Sequence, residues 1–280
     1  MRRKVSHLSK LVVTCIAAVA LGVGVSACGD DEEAQSLTYT IAQQGKKTEL
    51  SGPQSAETGL AEITLVNEGE KEGDLQLIRV EGDHTPEEVV KGFERAGSGK
   101  AFPSWFFGGG GVGTTGAGES QTVTQVLEPG TYYALDTEGG RPDSKSIPAL
   151  EVTGEESDAT VEGDDTVSAF EYGFDAEGLP SGETEIVFEN GGAQPHHLLA
   201  APLIGDSTAE DVESYFKTEK GKAPLEEKGT QATAVIEGGE SQVVTLDLEP
   251  GRYALFCFIS DRQGGPPHAL QGMVDEVEVE

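Results

Sequence analysis

The chain predicts a mainly β protein, two antiparallel Greek-key sandwiches in tandem, each interrupted by one short helix. Three observations predict it. Short stretches alternate polar and apolar residues, as in Thr184-Glu-Ile-Val-Phe-Glu and Ser241-Gln-Val-Val-Thr-Leu-Asp-Leu. Turn formers such as Asn-Gly-Gly, Glu-Gly-Gly and Glu-Pro-Gly separate them. The pattern also runs twice. Asn67-Glu-Gly and Thr85-Pro-Glu-Glu-Val-Val-Lys-Gly-Phe return as Asn190-Gly-Gly and Thr208-Ala-Glu-Asp-Val-Glu-Ser-Tyr-Phe, offset by 123 positions. Gly118-Glu-Ser-Gln-Thr-Val-Thr and Leu127-Glu-Pro-Gly-Thr-Tyr return as Gly239-Glu-Ser-Gln-Val-Val-Thr and Leu248-Glu-Pro-Gly-Arg-Tyr, offset by 121. Four blocks in one order predict a duplicated domain, each copy long enough to bury its own core.

Taken from the N-terminus, Arg2, Arg3 and Lys4 precede an apolar run over residues 11 to 25, and Val25-Ser-Ala-Cys28 follows. This is the pattern of a secretory signal whose small residues stop at a cysteine; the run is too short for a membrane span. Residues 1–27 are read as a lipoprotein signal peptide, Cys28 as the lipid-modified residue, and residues 28–35 as an acidic tether. The first domain is placed at 36–154 and the second at 158–280, with the boundary in the acidic stretch Gly154-Glu-Glu-Ser-Asp-Ala. The expected location is the extracytoplasmic face of the cell membrane.

Removing the leader takes Arg2, Arg3, Lys4 and Lys10 away, leaving 15 basic against 50 acidic residues, a net charge of −35. So acidic a surface, with no basic patch interleaved with aromatics, sets nucleic-acid binding aside; the acidity either suits the surrounding milieu or steers cationic ligands and basic partners inward. Of Cys15, Cys28 and Cys257, only the last belongs to the folded body, so no internal disulfide is available. An unpaired thiol in an exported protein is protected either by metal ligation or by burial as a small hydrophobe.

Each predicted helix carries its own start signal. Thr85 as N-cap, Pro86 in the first turn and Glu88 three residues on make a capping box, with Val89, Val90 and Phe93 as the apolar stripe. In the second copy Ser207 with Glu210, or Thr208 with Asp211, serves as cap, and Val212, Tyr215 and Phe216 face inward. Such a helix is expected over one open end of the sandwich. Phe102-Pro-Ser-Trp-Phe-Phe and the glycines after it read as a flexible aromatic surface loop that faces either solvent or the other copy.

The chemistry concentrates in the last third. His196 follows Pro195, Cys257 ends Pro250-Gly-Arg-Tyr-Ala-Leu-Phe-Cys, and His268 and Met273 belong to His-Ala-Leu-Gln-Gly-Met-Val. Two imidazoles, one thiolate and one thioether are the donor set of a mononuclear blue-copper centre. Cys257 stands where a strand runs into a loop, and four residues separate His268 from Met273, enough to curl both toward one point. Phe256 and Phe258 flank the thiol and point to the opposite face if the strand continues.

The motifs Asn-x-Gly, Pro195-His196, Pro250-Gly-x-Tyr-x-x-x-Cys257 and His268-x-x-x-Gly-Met273-Val resemble the cupredoxin, or plastocyanin-like blue-copper, family. The resemblance covers residues 160 to 280 in strand order. It implies a tandem of cupredoxin-like domains in which His196, Cys257 and His268 are equatorial copper ligands and Met273 the axial one. His197 falls where the family places a side chain that pins the cysteine loop. One departure is the ten-residue loop from Phe258 to Pro267, longer than in the family's small electron carriers, with Asp261 and Arg262 expected on its surface as a docking site or a solvated turn.

Aligned on the repeats, the first copy has Gly73 opposite His196, Asp136 opposite Cys257, and Ile147 and Val152 opposite His268 and Met273, so it holds no copper ligands. The expected function is that of a lipid-anchored copper-binding protein, for electron transfer or copper handling, with one copper ion in the second domain and a redox or copper-transfer protein as partner. A metal-free binding or scaffolding module is the alternative. Oxidase or reductase chemistry is not expected, because Cys257 has Phe on both sides and no histidine-rich second site follows. Hydrolase chemistry lacks a Gly-x-Ser-x-Gly nucleophile.

Overall fold

The computed structural model describes residues 34–44, 47–138 and 142–280. The leader, Cys28 and residues 29–33 of the tether lie outside the described residues. In chain order the first half contains β1 (Gln35–Gln44), β2 (Lys47–Ser51), β3 (Ser55–Glu57), β4 (Gly59–Asn67), β5 (Gly73–Val80), α1 (Pro86–Gly97), β6 (Phe106–Thr115), β7 (Ser120–Leu127), β8 (Gly130–Leu135) and β9 (Ala149–Thr153). The second half contains β10 (Thr166–Phe170), β11 (Gly173–Asp175), β12 (Gly182–Asn190), β13 (Leu199–Pro202), α2 (Ala209–Thr218), β14 (Gln231–Ala232), β15 (Ser241–Leu248), β16 (Gly251–Phe256) and β17 (Val274–Val279). No described helix is long and apolar enough to cross a membrane.

The architecture is mainly β, two β-sandwiches in tandem. In the first half a sheet in the order β3-β9-β8-β5-β6 faces strands β7-β4-β1-β2; in the second, β14-β13-β16-β17 faces β11-β10-β12-β15. Each half pairs its first strand in parallel, β1 with β4 and β10 with β12. The facing sheets of the two halves are one continuous eight-stranded sheet, because β15 pairs antiparallel with β7 through Gln242 opposite Gln125 and Val244 opposite Val123.

Strand alternation decides which side chain goes where. In β16 and just after it, Tyr253, Leu255 and Cys257 enter the main core between the sheets, while Ala254 and Phe256 face outward under α2. In β8, Tyr132 and Ala134 face the main core, and Tyr133 and Leu135 lie under α1. The helices thus cover the outer faces of these sheets rather than the sandwich ends expected from sequence. α1 buries Val89 against Ile78 and Phe106, and α2 buries Val212 against Ala201 and Val274. The caps follow the sequence: Thr85 with Glu88 and Thr208 with Asp211 both close capping boxes, a device worth about 1 kcal/mol. The Ser207 and Glu210 option is not the one used.

The glycine-rich stretch corrects the reading of a flexible surface loop. Phe106–Thr115 is a strand, and its bare backbone lets the second half approach. Gly110 N–H donates to Val235 O at 3.0 Å, and a Cβ on Gly108 would meet Val235 O at 3.0 Å. Gly110 and Gly111 adopt φ of +72° and +125°, which side chains resist. Buried glutamines satisfy the polar groups this close contact strands. Gln76 donates to Val235 O at 3.1 Å and accepts from Val235 N–H at 2.8 Å. Gln125 spans Gly109 O and Gly111 N–H, and Gln242 reaches Gly111 O at 3.0 Å.

Candidate metal centre

Three turns deliver the site. At the end of β12, fully buried Asn190 donates to Gln194 O at 2.8 Å and Ile236 O at 3.1 Å, and accepts from Gly192 N–H at 3.0 Å. This closes the chain on itself so that His196 exchanges backbone hydrogen bonds with Ile236 at 3.0 and 2.9 Å. Cys257 leaves β16 with its carbonyl accepting Ala269 N–H at 2.8 Å. His268 begins a 3-10 turn, His268–Gln271, anchored by its N–H on Ile259 O at 2.8 Å. Gly272 ends that turn with φ +107°, and Met273 N–H returns to His268 O at 3.0 Å.

The structure brings His196, Cys257 and His268 together, all fully buried, with their donor atoms within 4.8 Å of one another. His268 Nδ1 lies 3.6 Å from Cys257 Sγ and 3.1 Å from His196 Nδ1. Bonds of about 2.0 to 2.3 Å arranged trigonally put donors about 3.5 to 4 Å apart, so one ion fits among them with small adjustments. Met273 is fully buried in the same core cluster as Cys257, next along the chain to the turn that holds His268. His197 accepts Phe258 N–H on Nε2 at 2.9 Å and so pins the residue after Cys257.

Both imidazoles turn Nδ1 inward and Nε2 toward a carboxylate. His268 Nε2 is 3.2 Å from Asp261 Oδ1, which Tyr172 OH also approaches at 3.0 Å. His196 Nε2 is 3.7 Å from Glu171 Oε1 and makes no hydrogen bond; Glu171 is itself held by Ala193 and Gln194 N–H at 2.6 and 2.7 Å. A proton kept on Nε2 leaves the Nδ1 lone pair for a cation, the orienting role carboxylates play around metal-bound histidines.

Electrostatics prepare neutral donors. Burial, then the neighbouring His268, pushes His196 down to about 4, against the pull of Glu171. Burial also lowers His268, opposed by Asp261, and takes His197 down to about 3. Burial pushes the Cys257 thiol up to about 12, so without a cation it stays protonated. A soft cation that binds the thiolate would reverse that preference.

Two sequence expectations need correction. Asp261 and Arg262 are neither a solvated turn nor a free docking face: Asp261 touches His268, and Arg262 pairs with Glu237 at 2.8 Å and lies 4.5 Å from the centre of the Phe107 ring. Strand pairing sets Val152 opposite Gly130 and Val279 opposite Gly251, so the counterpart of Val152 is Val279, and the same offset takes Met273 to Ser146. The chain runs 16 positions from Cys257 to Met273 but 10 from Asp136 to Ser146. A constant offset fails because the second half carries the longer loop. Glu171 and Asp261 had no signal in the sequence; their roles arise from how distant loops fold together.

No family model matches the chain, and no curated protein does. Solved structures do. An auracyanin from the photosynthetic bacterium Roseiflexus castenholzii is 22% identical over 41% of this chain and 94% of its own, with a TM-score of 0.28. An azurin from Methylomonas sp. strain J is 18% identical over 41% and 95%, with a TM-score of 0.27. A copper nitrite reductase from Nitrosomonas europaea is 14% identical over 88% and 94%, with a TM-score of 0.26. The metal reading rests on this chain's own donors.

Proposed function

We propose that this protein is an extracytoplasmic, lipid-anchored copper protein with a single type 1-like site in its second half, serving electron transfer or copper handling. The convergence of His196 and His268 Nδ1 with Cys257 Sγ in a fully buried cluster carries this reading. A bound copper ion supplies a one-electron couple between Cu(II) and Cu(I). The residues supply the rest. Asn190 and His197 fix the two loops that present the donors, and Asp261 and Glu171 face the imidazole edges turned away from the site. The buried surroundings exclude water, and held donors need little reorganisation when the charge of an ion changes.

Among the described residues no second group of three His, Cys, Asp or Glu gathers at metal-binding distance. The leader pattern and Cys28 support a lipid anchor, and the acidic surface suits a basic protein partner. The test is addition of Cu(II) to the purified protein lacking its leader. Strong visible thiolate-to-copper absorption, absent in Cys257→Ala and bleached by a reductant, supports the reading. A colourless protein whose thermal stability ignores copper supports the metal-free module, and colourless uptake of Cu(I) points to copper handling.

A further inference from the structure

We infer that the ligand-free first half is a clamp on the metal centre, and that Arg262 is the positioning residue through which it acts. The inference rests on the copper reading for its chemistry and on contacts within the chain for its geometry.

The six additional positions between Cys257 and Met273 belong to a loop laid against the first half. Phe102 N–H donates to Arg262 O at 2.8 Å, Gly265 N–H donates to Gly99 O at 3.0 Å, and Lys100 bridges to Gly264. Glycines on both sides make the approach possible: a Cβ on Gly99 would meet Gly265 O at 2.8 Å, and one on Gly264 would meet Ala101 N at 2.7 Å. Both adopt positive φ, +67° and +81°.

Arg262 then ties three segments at one point. Its guanidinium donates to Phe106 O at 3.0 Å and lies 4.5 Å from the centre of the Phe107 ring, both in the first half. It pairs with Glu237 at 2.8 Å, the residue after Ile236, which exchanges hydrogen bonds with His196. Glu237 also accepts Gly108 N–H at 2.9 Å, so the first half holds both ends of the ion pair. The Arg262 N–H donates to Gln194 Oε1 at 2.8 Å, within the turn that delivers His196. The next residue back, Asp261, faces His268. The Arg262 side chain therefore joins the first half to the segment paired with His196, while its backbone joins the turn before His196 and, through Asp261, the edge of His268. A planar, charged fork stacked on an aromatic ring is suited to that task, and lysine cannot reproduce it.

Holding the loop in place before metal arrives spares the site an ordering cost on binding and slows its opening afterwards. The test compares wild type, Arg262→Ala and Arg262→Lys in the full folded chain. In the metal-free protein, amide exchange over Ile259–Ala269 is expected to quicken at least tenfold in Arg262→Ala, with β12 and β15 unchanged. In the copper-loaded protein, loss of copper to a chelator is expected to accelerate at least tenfold, with an altered charge-transfer spectrum. Arg262→Lys, which keeps a charge for Glu237, is expected between the two and serves alone if Arg262→Ala does not fold. Wild-type exchange and wild-type copper release in the variants would overturn the inference. Faster exchange in a chain that takes up no copper would keep the clamp and sink the copper reading.

Discussion

The two halves keep the same scaffold around different contents. Asn67 donates to Lys71 O at 2.8 Å and accepts from Gly69 N–H at 2.9 Å, repeating what Asn190 does with Gln194 and Gly192. Seven residues on, Asp74 accepts Thr137 N–H at 2.5 Å where His197 accepts Phe258 N–H at 2.9 Å. Each pin holds the second residue after its strand. The donors differ. Gly73 stands at the position of His196 and Asp136 at that of Cys257, and a Cβ on Gly73 would meet Ile41 Cδ1 at 2.5 Å, so a side chain there would have to displace Ile41. The turns and pins recur in both halves, while the buried cluster of His196, Cys257 and His268 lies in the second.

Five tests probe the difference between the halves. Cys257→Ala has the largest expected effect: copper uptake with visible charge transfer is abolished, while Asp136→Ala leaves it intact, as read by copper titration. Gly113→Val aims a side chain at Ala232 O across the junction, and overpacking there costs about 3 kcal/mol of unfolding free energy, measured by denaturant melts. Asn67→Ala and Asn190→Ala each strand buried backbone groups and cost about 2 kcal/mol, but only the second weakens copper binding.

Removing the charge beside His268 with Asp261→Asn raises the reduction potential of the loaded protein by voltammetry, with a stability change under about 1 kcal/mol. The last test concerns the pH dependence of the two pins. His197 lies well below its ordinary value, so the unfolded chain binds the extra proton and this group favours folding more as pH rises from about 3 to 6.5. Asp74 is pushed up to about 7, mainly by burial, so its contribution is present below the unfolded carboxylate value and is lost as pH rises to 7. Against wild type, His197→Gln flattens the first slope and Asp74→Asn the second, in stability measured from pH 4 to 7.

Much of this was legible in sequence. Strand alternation, capping boxes and the order of His196, Cys257, His268 and Met273 are local signals, and local physics reads them. What escaped depends on distance along the chain. The glycines of β6 look like a flexible loop until Val235 and Ala232 occupy the space side chains at Gly108 and Gly113 would need, and Tyr132, Gln125 and Leu75 that at Gly109, Gly110 and Gly111. Arg262 looks like a surface charge until Phe107, more than a hundred positions away, lies beneath it. The carboxylates of Glu171 and Asp261 carry no motif, because an orienting group needs only to arrive at the right ring edge.

X-ray absorption at the copper edge of the loaded protein decides whether Cys257 and the two histidines share one ion. One short sulfur contact and two imidazole nitrogens are expected around each copper, with the sulfur lost in Cys257→Ala. Copper surrounded by oxygen and nitrogen alone, at more than one ion per chain, would contradict that arrangement.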